Sequence, residues 1–484
     1  MDLIEYHRIY QKSIEDSVKF WSEIASELHW FKSWDTVLSI DNIKKKILWF
    51  LGAKTNITYN ALDRNIKAGF GEKVAFYWVG LDGEKKKYTY NDLFSEVNKA
   101  SRILLNIGVV KGDLVLIILP KIPELISFSL AAARIGAISV ILEPTFAITH
   151  FKEILSLTNP KVVIASDGIF HRNMIIPIAK RIYEYRKSLK KDFKLIAVSR
   201  IKDYSKAPII LDREDCEFHS YEIDKSTFVW PEQLDSNFPL YKILRFDERH
   251  KTFKVFTYTH GSHMVGIYAT MKLVFDPKEE DIYWCTANID CIVGQAYGIF
   301  GPLLVKLTSL IYEGNGYNVS RKLGRLIQEY NVSILYTKSD DIKELLKSGE
   351  NIARNFKVSN LRFVALSGKS LSVKEWIKLY DLLGHKPILD TLVSEELGII
   401  VFTPFQHVPL KPTSVFRPIP GVIIDTYHNK QGGEKIVFKK PWPGLPFEYK
   451  LRDIEVDIQD VLKTEKTNFK IYRTNDNYFY VKFT

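Results

Sequence analysis

Leu114-Val115-Leu116-Ile117-Ile118-Leu119, followed by Pro123 to Arg134 and then by Ala137-Ile138-Ser139-Val140-Ile141-Leu142, is the stretch that decides the fold. The first continuous apolar run predicts a strand buried on both faces, residues 123–134 predict a helix, and the second run predicts another buried strand. Strand, helix and strand in that order imply a parallel pair joined by a crossover. The apolar span 125–142 carries Arg134 and Gly136, so it reads as helix, turn and strand and not as a membrane span.

The pattern extends in both directions. Residues 73–78 predict a strand. Thr89-Tyr90-Asn91-Asp92-Leu93 offers a capping residue, and Leu93, Val97, Ala100 and Leu104 recur at helical spacing until Gly108 stops them. Residues 161–165 and 195–198 read as strands with a helix near 183 between them, followed by a charged excursion to about residue 250. Alternation resumes at Lys254 and continues through a helix at 323–330 and strands at 332–336 and 361–366. Beyond about 415 the chain turns β-rich, with Gly432-Gly433 before a strand. The expected class is α/β: mostly parallel sheets flanked by helices, plus a β-rich subdomain at the C-terminal end. The expected divisions are 1–70, a helical aromatic arm capping the main body; 71–250 and 251–414, two α/β subdomains; and 415–484, the β-rich subdomain.

With 484 residues, 46% of them hydrophobic, the chain has enough apolar material for one large domain with subdomains. Its formal charge of +11 comes from lysines scattered along the chain, and no nucleic-acid-binding signature accompanies them. Cys216, Cys285 and Cys291 fit no zinc spacing, and buried free thiols in a reducing cytoplasm are the expectation. Met1-Asp2-Leu3-Ile4-Glu5 is not a secretion signal. High isoleucine and lysine usage is compatible with a thermophilic source.

Function turns on a second stretch, Phe256-Thr257-Tyr258-Thr259-His260-Gly261-Ser262-His263-Met264-Val265-Gly266. Its small residues Thr259, Gly261 and Ser262 bring backbone N–H groups and hydroxyls, which can contact an anion. No lysine follows until Lys272.

Landmarks in order along the chain give a specific resemblance. Trp49-Phe50, Asn56-Ile57-Thr58-Tyr59-Asn60, Leu62-Asp63-Arg64, Lys111-Gly112-Asp113, Pro120-Lys121-Ile122-Pro123-Glu124, Ala133-Arg134-Ile135-Gly136, Asp281-Ile282-Tyr283-Trp284, Asp390-Thr391 and Pro441-Trp442-Pro443 are among them. The chain resembles AMP-forming acetyl-CoA synthetases of the adenylate-forming superfamily. The resemblance implies that superfamily's large N-terminal domain, with ATP or AMP, magnesium and coenzyme A as ligands. Thr259, Gly261 and Ser262 would contact phosphate, and Gly368, Asp390 and Thr391 would line the nucleoside. Glu396 would hold magnesium, Asp476 the ribose hydroxyls and Arg172 coenzyme A. Val293 and Val393 would line an acyl pocket larger than acetate needs, because Val393 stands where the family has tryptophan.

The departures are equally specific. The family's loop reads Tyr-Thr-Ser-Gly-Ser-Thr-Gly-Lys-Pro-Lys-Gly, and only its start is matched. Glu395 occupies the place of a phosphate-facing threonine. A carboxylate about 4 Å from a phosphate repels it by roughly 1 kcal/mol in water and by several times that when partly buried. Only eight residues follow Asp476, so the family's mobile C-terminal domain and its catalytic lysine are expected to be absent. Two readings follow. One is a catalytically impaired descendant acting as a subunit, regulator or binding module. The other is an acyl-CoA ligase using Thr259 and Glu396, completed by a C-terminal domain in trans. A cytoplasmic protein without nucleic-acid partners is expected in either case.

Overall fold

The computed structural model describes residues 1–41, 46–171, 174–222, 228–314, 316–347, 358–407, 417–428, 434–447, 469–473 and 479–483. Two seven-stranded sheets dominate it. In spatial order the first contains Cys216–Glu217, Lys194–Val198, Val162–Ser166, Leu114–Ile118, Ile138–Ile141, Pro239–Asp247 and Thr252–Thr259. The second contains Ile388–Asp390, Phe363–Ser367, Ile334–Lys338, Ile282–Cys285, Thr308–Tyr312, Val74–Val79 and Lys85–Thr89. Every neighbouring pair is parallel except the hairpin at one edge of each sheet. The apolar runs 114–119 and 137–142 are almost entirely buried, as strands covered on both faces must be.

The predicted helix boundaries have local causes. Thr89 caps Tyr90–Asn106 through a reciprocal box: its hydroxyl accepts from Asp92 N–H at 3.1 Å, and Asp92 accepts from Thr89 N–H at 2.8 Å. Gly108 sits at φ +89°, where a side chain would be strained. The Pro123–Arg134 helix places Arg134 in the interior, where its guanidinium makes a two-point contact with Asp63 at 2.8 and 2.9 Å. Removing one partner of such a buried pair costs about 3–5 kcal/mol.

Three regions differ from the sequence-based expectation. The N-terminal arm caps the body, with Tyr6 Oη donating to Pro418 O at 3.0 Å and Trp21 Nε1 to Gly421 O at 3.3 Å. It is not wholly helical, however: Thr36–Asp41 and Lys46–Leu51 pair antiparallel, the second of them a run of apolar residues with Trp49 and Phe50 buried. Secondly, the strands cross the expected divisions. The hairpin of Val74–Val79 and Lys85–Thr89 belongs to the second sheet, and Pro239–Asp247, which charge had hidden, pairs with Thr252–Thr259 across residue 250. Thirdly, the three cysteines are free but only partly covered. Among the described residues no helix is long and apolar enough to cross a membrane.

Candidate functional site

The stretch expected to be a phosphate loop is not a loop. The strand Thr252–Thr259 passes directly into the helix His260–Thr270. A helix start offers unpaired N–H groups to an anion, but here two of these groups are already used. His260 N–H donates to Phe238 O at 3.0 Å and Gly261 N–H to Ser236 O at 2.8 Å. Ser262 Oγ accepts from Gly444 N–H at 3.0 Å. Packing closes the remaining space, since a Cβ on Gly261 would lie 2.9 Å from Ser236 Cβ and 3.0 Å from Ser236 Cα. Thr259 itself is buried.

The two histidines supply no positive charge in place of the missing lysine. Both are completely buried, and burial pushes each down to about 3. His263 Nε2 lies 2.5 Å from Tyr241 Oη, and His260 Nδ1 accepts from Ile57 N–H at 3.4 Å. The helix start has therefore become an aromatic and imidazole core packed between Tyr241, Tyr258 and the residue 443–444 turn.

At the C-terminal edge of the second sheet the arrangement is different. Leu366 and Asp390 are register partners, which brings Gly368, Asp390 and Thr391 together. Asp390 is only 7% exposed, has no hydrogen-bond partner among the described residues, and is pushed up to about 7 by burial. Gly368 turns at φ +87° with open space where a Cβ would stand. Thr391 is structural: its hydroxyl donates to Leu366 O at 2.8 Å and lies 2.9 Å from Tyr336 Oη.

The two regions meet at the 391–398 segment, where Tyr258 Oη donates to Glu395 O at 2.6 Å. The Glu395 carboxylate faces Arg245 Nε at 3.6 Å. Burial raises its pKa in spite of that cation. Glu396 is half-buried and has no ion pair among the described residues, and no described group of His, Cys, Asp and Glu is arranged to hold a metal. Val293 and Val393 both pack against the main core. Arg172 and Asp476 lie outside the described residues.

The start of the His260–Thr270 helix therefore has two N–H groups taken within the chain, while the edge of the second sheet carries Asp390, a carboxyl with no described partner, near the open space at Gly368. Sequence reasoning missed Ser236 and Arg245, which lie in the charged excursion. It also missed Gln295, completely buried with neither amide atom hydrogen-bonded.

Comparison with known proteins accords with this architecture. The family described as "Acetyl-coenzyme A synthetase N-terminus" matches residues 6–61, and "AMP-binding enzyme" matches 62–242 and 254–438. The interruption falls in the hairpin leading into the altered stretch. The chain is 33% identical over 462 residues to the acetyl-coenzyme A synthetase of Deinococcus radiodurans, covering 91% of this chain and 69% of that one. The corresponding protein of Chlorobaculum tepidum is 31% identical, covering 98% and 72%. The acetoacetyl-CoA synthetase from Streptomyces lividans superposes with a TM-score of 0.81 at 17% identity, over 98% of this chain and 74% of that one.

Proposed function

The chain belongs to the AMP-binding enzyme family, as an acetyl-CoA-synthetase-like member, and from that premise we propose that it no longer forms acyl adenylates and acts as a binding or regulatory protein. One observation carries this reading. At the start of the His260–Thr270 helix the N–H groups of His260 and Gly261 are bonded to Phe238 O and Ser236 O, and the Ser262 hydroxyl accepts from Gly444 N–H. Freeing the two N–H groups would break two internal hydrogen bonds, each worth about 1 kcal/mol net and more if a buried group is left unpaired. Glu395 adds a carboxylate to the same neighbourhood, so the changes in hydrogen bonding and in charge act together.

In this reading Asp390 and Gly368, which the family resemblance sets beside the nucleoside, still receive one, which makes the reading quantitative. An active family member would gain affinity from each phosphate. Here adenosine should bind at least as well as AMP, and AMP better than Mg-ATP. Calorimetric titration of all three into the full chain tests the order. Carboxylate-dependent exchange of pyrophosphate into ATP, measured from acetate to hexanoate, tests the chemistry. The expected results are adenosine-first binding and no exchange. Mg-ATP binding tighter than adenosine, or exchange with any acid, overturns the proposal.

A further inference from the structure

A cavity of about 800 Å³ lies where the C-terminal ends of the two sheets face each other, and Lys121 lines it. That volume suits a small organic molecule. Lys121 follows the strand Leu114–Ile118 and is 9% exposed. Its backbone is fixed, since Trp78 Nε1 donates to Lys121 O at 2.8 Å. Nζ donates to two neutral carbonyls, Thr286 O at 2.9 Å and Gly314 O at 3.4 Å, and no described carboxylate forms an ion pair with it.

A buried ammonium is normally held by a carboxylate, because burial without one disfavours the charge. The contacts of Lys121 are two neutral carbonyls, which supply no full charge to offset that cost. A neutral amine has two N–H bonds and one lone pair. In its neutral form the two carbonyls take those two N–H bonds and leave the lone pair unbound, on a residue that lines the cavity. Burial pushes this lysine down to about 8, in keeping with that geometry. The charged groups around it oppose one another: Lys338 lowers its basicity, while Asp341 raises it, and the nearby thiols of Cys285 and Cys291 are pushed up to about 11 and about 12 by burial. Elsewhere on the cavity wall, Glu313 is tied to Arg200, Glu143 accepts from Phe146 N–H, and His171 and Arg321 complete the titratable set. Leu119, Ile169, Phe170 and Ile289 supply an apolar surface.

We propose that Lys121 is a reactive amine that forms an imine with aliphatic aldehydes entering this cavity. The lone pair of Nζ attacks the carbonyl carbon to form a C–N bond, the carbonyl π pair moves to oxygen, and one N–H proton passes through solvent to that oxygen. The carbinolamine hydroxyl then leaves as water with a proton from solvent, and the nitrogen returns its remaining proton to solvent, leaving C=N. The apolar wall receives the aldehyde's alkyl chain. This inference is independent of whether the protein makes adenylates.

The test is reductive trapping on the full folded chain, with hexanal and cyanoborohydride, short reaction times and peptide mass spectrometry to rank the lysines. An amine of pKa about 8 has roughly 200 times the neutral fraction of an ordinary lysine at pH 7. Lower basicity also lowers nucleophilicity, so a roughly tenfold faster reaction at Lys121 than at exposed lysines is expected. Its rate should level off above pH 8 to 9 while theirs continues to rise. Lys121→Met, checked by circular dichroism, should lose the fast product alone. Labelling of Lys121 no faster than that of surface lysines, or a rate that keeps rising in step with theirs, overturns the proposal, and wild-type mapping decides this even if the variant fails to fold.

Discussion

At the start of the His260–Thr270 helix the first N–H groups end on carbonyls of the same chain and a glycine is packed against Ser236, whereas at the edge of the second sheet Asp390 has no described partner and Gly368 borders open space. Both regions belong to the part of the fold where the family resemblance places a nucleotide. They differ in how each can be lost. A phosphate cradle consists of unpaired backbone donors, and a strand joined directly to a helix satisfies those donors with nearby carbonyls. The other region is the end of a buried parallel sheet, whose register is fixed by the core, so its geometry survives whether or not a ligand binds.

Two glycines provide the strongest way to break this comparison. Alanine inside a helix normally stabilises by roughly 0.5–1 kcal/mol over glycine. Gly261→Ala should reverse that sign and destabilise by roughly 2–3 kcal/mol, because the new methyl meets Ser236. Gly368→Ala should cost only about 1 kcal/mol, from its positive φ alone. Urea unfolding of both variants gives the difference directly. If Gly261→Ala stabilises the protein, the helix start is an open cradle and the contrast is lost.

Asp390 sharpens the same contrast at a smaller scale. Its folded pKa of about 7 lies above the value of a free aspartate, near 3.9, so the folded state holds its proton more tightly. The sign follows from linkage: this group's contribution to stability falls as pH rises from about 4 to about 7, and the cost is complete above 7. Asp390→Asn should therefore raise stability by on the order of 2 kcal/mol at pH 8, and by little at pH 4. No gain, or a loss, at pH 8 would mean that Asp390 is paired or hydrated and that the second region is not open.

How much of this was legible in the sequence depended on the range of the interaction involved. The strand and helix runs at 114–142 were readable because burial on both faces writes a continuous apolar pattern. Thr89 and Asp92 were readable because a capping box closes within three residues. Asp63 and Arg134 were visible only as separate landmarks; that they form one buried ion pair is a long-range fact. The stretch 256–266 was misread as a loop for the same reason. Small residues and a histidine look like a cradle until Ser236 and Phe238, lying more than twenty residues earlier in a charged excursion, supply the carbonyls that make it a helix start. Lys121 was quoted as a family landmark, while its two carbonyl partners lie 165 and 193 residues away.

The smallest expected effect concerns the contact between the two regions. Arg245 and Glu395 lie 3.6 Å apart, with the carboxylate mostly buried and the guanidinium side chain 56% exposed. Burial raises the Glu395 pKa and Arg245 opposes the shift, so removing the cation should raise it further. A buried acid of this kind is destabilising when charged, which confines the effect to pH values at which Glu395 would otherwise ionise. Arg245→Gln should thus cost about 0.5–1 kcal/mol at pH 8, a figure held down by solvent screening of the exposed arginine, and almost nothing at pH 4. Thermal unfolding at the two pH values separates charge from packing. A loss of the same size at both would mean that Arg245 acts through its aliphatic stem, and that Glu395 is stabilised by its backbone surroundings and not by the cation.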